Sequence, residues 1–152
     1  MTKGRILYIA AIIVLLIPVA LWRILTPFNS DSNAYRQTHI ELGGVTVTAD
    51  IADTEPVRQL GLSGREGLSE DKAMLFVFQD DGEHSFWMKD MLFPIDIIWL
   101  SSEKRVVYIA KNATPESFPS SFVPNVPSRY VIEVAAGFTD RHNISVGTQV
   151  SF

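Results

Sequence analysis

Four ionisable residues stand inside or against the most apolar runs of the chain after its first 28 residues. Lys89, Asp90 and Asp96 fall within HSFWMKDMLFPIDIIWL (84–100), and Glu133 within RYVIEVA (129–135). An ionised carboxylate buried alone costs several kcal/mol, so each acid must be paired, lie at a solvated strand end, or serve a site. Two carboxylates held in mutual reach could do acid–base chemistry, and charged groups at the mouth of a sheet could orient a ligand. Other chemistries lack their residues. The absence of cysteine excludes disulfides, thiolate metal sites and cysteine nucleophiles. His39, His84 and His142 have no metal-ligand spacing to one another, and DDGEH (80–84) lacks the alternating oxygen ligands and distant glutamate of a calcium loop. There is no G-x-S-x-G nucleophile turn and no phosphate loop. No metal or cofactor is therefore expected, and no catalytic residue is assigned.

The elements that must position these residues are mostly short strands. THIEL and VTVTADIAD flank Gly43-Gly44 and predict a hairpin, and PIDIIWL and RVVYIAKN predict another around Ser101–Lys104. AMLFVF and HSFWMKD flank Asp80-Asp81-Gly82-Glu83, the strongest local turn signal, and predict a third. Between the first hairpin and AMLFVF, Thr54 can cap a short helix that carries Glu55 and Pro56 in its first turn and stops at Gly61 and Gly64. The four prolines of ATPESFPSSFVPNVPS predict a loop unlike a regular element, suited either to recognition or to covering a sheet edge. RYVIEVA is a strand, GFTDRHN a turn or short helix, and GTQVSF a closing strand. The class is α+β and mainly antiparallel β: a small barrel-like or rolled sheet with one or two short helices. Parity puts Asp96 with Ile98 and Leu100, opposite Ile95, Ile97 and Trp99, and it puts Glu133 opposite Tyr130, Ile132 and Val134. Its place second in its strand predicts a solvated end for Asp96.

The first 28 residues differ from the rest. Lys3 and Arg5 precede an uncharged, mostly apolar run from Ile6 to Trp22, about 25 Å long as a helix and at the lower edge of what crosses a bilayer. Pro18 and Ala20 match the small-residue cleavage pattern of a signal peptide poorly, so an uncleaved transmembrane anchor is favoured over a cleaved signal segment for 1–28, followed by a polar tether over 29–37 and a domain over 38–152. The basic residues before the span place the N-terminus in the cytoplasm and the domain on the outer side, periplasmic or extracellular. Three of the 13 basic residues precede Leu25 and all 17 acidic residues follow it, leaving a net charge of −7 beyond the anchor. Such a surface repels phosphate backbones, which argues against nucleic acid as a partner.

The segments GLSGREGL, AMLFVF, HSFWMKD, FPIDIIWL, VVYIAKNATPESFP and RYVIEVAAGF, with a closing ISVGTQVSF, resemble in order and spacing the domain-of-unknown-function 192 family, over roughly Ile40 to Phe152. The resemblance implies a small, largely β domain, often behind a signal or anchor, with no established activity. Its pattern falls on Gly61, Leu62, Arg65, Met74, Leu75, Phe76, Phe86, Trp87, Met88, Lys89, Pro94, Asp96, Tyr130, Glu133 and Gly137. The chain departs from it at Asp90, where the family usually has asparagine, and at Ser63, where it usually has methionine.

Arg65, Trp87, Lys89, Asp90, Asp96, Tyr130 and Glu133 make up the candidate binding set. They fit either a polar lattice that pins strand ends, or a concave site walled by Trp87 and Tyr130 in which the charges orient a ligand. The functional expectation is a membrane-anchored ligand-binding or protein-interaction module whose partner is a small molecule or an envelope protein. The alternative is a small hydrolase-like enzyme using carboxylates at the sheet mouth.

Overall fold

A computed structural model describes residues 35–152; the expected anchor over 1–28 and most of the tether lie outside the described residues. Among the described residues no helix is long and apolar enough to cross a membrane. The alternating run before Gly43-Gly44 forms strand β1 (Gln37–Leu42), and the run after it forms β2 (Val45–Ala52), its antiparallel partner. Gly43 is required at the turn. Its φ is +61°, and a Cβ there would come within 2.8 Å of the Ile144 side chain and 2.9 Å of the His142 carbonyl.

The next strand, β3 (Lys72–Gly82), pairs parallel to β2, so residues 53–71 must cross over one face of the sheet. The crossover holds the expected helix, Glu55–Leu60, with Gly61 as its C-cap. After it come β4 (Phe86–Trp87), β5 (Ile95–Leu100), β6 (Val106–Ala113), a 3₁₀ turn at Pro115–Ser117, β7 (Ser121–Phe122) and β8 (Ser128–Ala135). A second helix, Phe138–Arg141, and β9 (Val150–Ser151) close the chain.

Seven strands form one sheet in the order β6-β5-β8-β3-β2-β1-β9, antiparallel except at β2–β3. Its edges meet. Arg105, just before β6, bridges Gln149, just before β9, and the Val106 N–H donates to the Thr148 carbonyl at 2.9 Å. The sheet is therefore a curled half-barrel with two apolar faces, as the two-sided hydrophobicity of β5 required: all six of its residues are buried. The inner face gathers Ile40, Leu42, Leu75, Ile98, Ile132, Val134 and Phe138. The outer face gathers Met74, Phe76, Ile95, Ile97, Trp99 and Val131, and is covered by the 61–71 crossover, the segment around Met88 and Met91, and β4 with β7.

Two expectations are corrected. The Asp80-Asp81-Gly82-Glu83 stretch is not a hairpin turn, because β3 runs through Gly82. Pairing of Gly82 with Ser128 beyond a register shift after Val77, a bond from Arg129 Nε to Asp81 Oδ1 at 2.6 Å, and one from Ser128 Oγ to the Gly82 carbonyl at 3.3 Å hold those residues extended against β8. The proline-rich stretch is not wholly irregular either. It contributes β7, which pairs with β4 in a separate two-stranded ribbon.

Candidate functional site

The outer face carries one polar side chain at its centre. Glu133 on β8 pairs with Met74 on β3 and with Ile97 on β5, so its lateral neighbours in the sheet are apolar. It is 6% exposed, and its Oε2 atom is buried without a hydrogen-bond partner among the described residues. Burial pushes its carboxyl up to about 8, and the positive charge of Arg65 offsets only part of that rise. Glu133 is therefore mainly a neutral carboxylic acid at pH 7. Arg65 does not neutralise it directly: the guanidinium donates to Asp50 Oδ2 at 2.8 Å and stacks 5.2 Å from the Tyr35 ring centroid.

Glu133 lines a cleft of about 440 Å³ whose apolar walls include Phe76, Phe78, Phe86, Trp87 and Met91. Those walls are fixed by edge contacts. Phe86 meets Phe76 at 4.8 Å and Trp99 at 5.7 Å between ring centroids, both nearly perpendicular. The β4–β7 ribbon, through Phe86↔Phe122 and Trp87↔Ser121, holds Phe86 inward and leaves Trp87 53% exposed at the rim. The His84 ring stacks on Phe78 at 3.5 Å, and Trp99 Nε1 donates to the His84 carbonyl at 2.8 Å. Arg58, from the first helix, is held by the carbonyls of Asp53 and Val77 and by Glu55, at 2.9 to 3.0 Å. A cleft with aromatic walls, a polar and charged remainder that includes Glu55, Arg58, Glu83 and His84, and an unpaired carboxyl oxygen on Glu133 can enclose a small ligand and fix its orientation.

The candidate residues read from the sequence divide between the two faces. Arg65, Trp87 and Glu133 belong to the outer one. Lys89 is exposed with its Nζ 5.9 Å from the Trp87 ring centroid, while its carbonyl accepts from Ser63 Oγ at 2.9 Å. Asp90 is exposed, has φ +56°, and accepts the Gly64 N–H on its carbonyl at 2.9 Å. The backbone of Lys89 and Asp90 thus clasps the turn that leads to Arg65. The left-handed conformation suits asparagine or aspartate, which accounts for Asp90 without an amide function.

Asp96 and Tyr130 lie on the inner side. Tyr130 packs against the inner core, edge-on to Phe152 at 5.2 Å, and is no wall of the cleft. Asp96 is not at a solvated end, as its place in the strand suggested, but fully buried. Its Oδ1 accepts the N–H groups of Asn112 at 2.8 Å and Gly137 at 3.1 Å, and its Oδ2 accepts the N–H and hydroxyl of Thr139 at 3.0 and 2.7 Å. Burial raises its pKa, but these bonds outweigh that and hold the carboxyl below its ordinary value. Sequence reasoning missed Asp50, Arg58, Phe76, Phe78, Phe86 and Met91 as site neighbours. The aromatic ones carried a signal in FVF and FWM, but as alternating apolar residues they read as core.

Among the described residues no group of three or more His, Asp or Glu is placed to hold a metal ion. The family model for DUF192, described as an uncharacterized ACR, matches residues 38–152. Two solved structures share the fold. A candidate transcription regulator from Sinorhizobium meliloti 1021 is 28% identical with a TM-score of 0.74, the match covering 79% of this chain and 96% of that one. A protein of unknown function from Novosphingobium aromaticivorans DSM 12444 is 25% identical with a TM-score of 0.72, over 80% of this chain and 89% of that one. No curated protein matches.

Proposed function

The chain belongs to the DUF192 family, whose activity is not established, and from that premise we propose that its outer-face cleft binds a small organic ligand. One observation carries this reading: Glu133 presents a buried, unpartnered carboxyl oxygen in a cleft walled by aromatic residues. Buried polar groups in folded proteins almost always have partners, and an orphaned one costs on the order of 1–3 kcal/mol. A polar lattice would leave no such orphan, and Asp96 on the other face is what a lattice residue looks like. A ligand supplies the missing partner.

The hydrolase reading finds less support. Asp96 and Glu133 serve opposite faces of the sheet, so one substrate could not touch both. The name of the S. meliloti relative is not carried over as DNA binding either, because the domain is acidic and repels phosphate.

Binding should be visible by NMR in a fragment screen on the full-length chain. Hits are expected to shift the amides of Phe86, Trp87 and Glu133. Trp87→Ala, at the exposed rim, should weaken them about tenfold while changing unfolding free energy by less than about 1 kcal/mol. Hits that shift other surfaces, or that bind Trp87→Ala equally well, would remove the cleft from consideration.

The domain is further proposed to work outside the cytoplasm, held by residues 1–28 with Lys3 and Arg5 on the inner side, which is what the order of basic and apolar residues supports. A phosphatase active only after export, fused after Phe152, should be active in intact cells. An inactive fusion that is stably made would put the domain inside.

A further inference from the structure

We infer that the ligand of the Glu133 cleft is an organic cation, a protonated amine or guanidinium on an apolar body. This inference rests on the cleft being a binding site and specifies what enters it. The first ground is the balance of charge around the cleft. Among the described residues three carboxyl groups line it, Glu55, Glu83 and Glu133, against the single guanidinium of Arg58, and no lysine. Arg58 is already bonded to Glu55 and to two backbone carbonyls. Arg65, the other cation near Glu133, is paired with Asp50. An anionic ligand would meet Glu83 and Glu133, and the one lysine at the rim, Lys89, stands outside the lining, over the Trp87 ring.

The second ground is that aromatic faces at this rim already hold cations. Arg58 Cζ stands 5.2 Å from the Phe78 ring centroid, and Lys89 Nζ stands 5.9 Å from that of Trp87. Cations are drawn to ring faces, most strongly to that of tryptophan. The third is Glu133 itself. Its neighbours in the sheet, Met74 and Ile97, offer no hydrogen-bond donor, and its Oε2 has none. An ammonium or guanidinium group carries donors and charge together, and so meets both needs of a buried carboxylate.

Binding then moves one proton. Glu133 gives up its carboxyl proton to solvent, the carboxylate that remains pairs with the cationic head, and no covalent bond to the ligand forms or breaks. Affinity should rise as pH approaches 8 from below, because free Glu133 is then already losing the proton that the ligand must displace. Burial and, against it, Arg65 from the crossover set this titration, and the other charged or titratable groups that line the cleft are Arg58 and Glu55 from the first helix and Glu83 and His84 beyond β3.

The probes are 2-phenylethylamine, 2-phenylethanol and phenylacetate, titrated calorimetrically at pH 7 into the full-length chain in neutral-lipid nanodiscs, in two buffers of different ionisation enthalpy. The amine is expected to bind at least tenfold more tightly than the alcohol, with phenylacetate weakest. The buffer dependence should report release of close to one proton per amine bound. In Glu133→Gln the proton release should vanish and the amine should lose its advantage, while the alcohol still shifts Phe86 and Trp87 by NMR. An alcohol that binds as well as the amine, or amine binding without proton release, overturns the cation inference and leaves the cleft as a site. If none of the three shifts a cleft residue, the site itself is refuted.

Discussion

Replacing Asp96 with alanine is expected to lower the unfolding free energy by about 4 kcal/mol, enough to leave a domain of this size marginal or unfolded at 37 °C. Four donors converge on this one carboxylate: the N–H of Asn112, the N–H of Gly137, and both the N–H and the hydroxyl of Thr139. They come from the end of β6 and the start of the second helix, so the side chain ties two distant segments to the second residue of β5. Alanine would leave those donors without a partner, and Asp96 and Thr139 are both fully buried. Each hydrogen bond to a charged group contributes about 1.5–3 kcal/mol, with strong non-additivity within one cluster. Asparagine should cost about half as much. It keeps an acceptor toward one pair of donors but turns an NH₂ group against the other.

Urea unfolding at pH 7 checks both variants. A loss below about 1 kcal/mol for the alanine variant would show that Asp96 is not the tie described here. The acid limb gives a second readout. Because the folded carboxyl titrates below its ordinary value of 3.8, the stabilisation is present above that pH and is lost as pH falls through the folded value. The variant should therefore lack that part of the acid-induced loss of stability.

The two acids show where sequence reading works and where it stops. Alternation along β5 and β8 put Asp96 and Glu133 on definite faces, and both placements follow from nearest-neighbour geometry alone. The separation of Tyr130 from Glu133 was likewise legible, since residues three apart in a strand point opposite ways. What the alternation could not give was the partner of each group. Asp96 looked like a strand-end residue because its donors, at positions 112, 137 and 139, are remote in sequence and are brought to it by sheet closure. Asp81 and Gly82 looked like turn residues for the same reason: DDGE has turn chemistry, and only pairing with Ser128 and Arg129 keeps β3 extended through Gly82. The cleft was hidden most completely. Its outer wall depends on two-residue strands, Phe86–Trp87 and Ser121–Phe122, too short for any periodic signal and distant in sequence.

Glu133→Gln should stabilise the protein at pH 9 by roughly 3–5 kcal/mol while leaving it nearly unchanged at pH 4. The sign follows from where the proton sits. The unfolded chain gives it up near the ordinary value of 4.5, whereas the folded chain keeps it until about 8. Between those values the folded state binds the extra proton, so stability falls as pH rises, by at most about 1.4 kcal/mol per pH unit for this group. The favourable state is complete below 4.5 and lost above 8. Glutamine has no proton to lose, so the difference between variant and parent, measured by urea unfolding across that range, should grow with pH and then level off. Parallel curves would mean that Glu133 is solvated or paired in a way its surroundings do not suggest. A stabilising change at a buried position also bears on function. The acid contributes nothing to the fold that glutamine or an apolar residue could not supply, and at neutral pH and above it weakens the fold. Asp96, the other buried carboxyl, has four donors and a structural reason to be there. If Glu133→Gln raises stability and at the same time removes proton-linked amine binding, the carboxyl is kept for what enters the cleft.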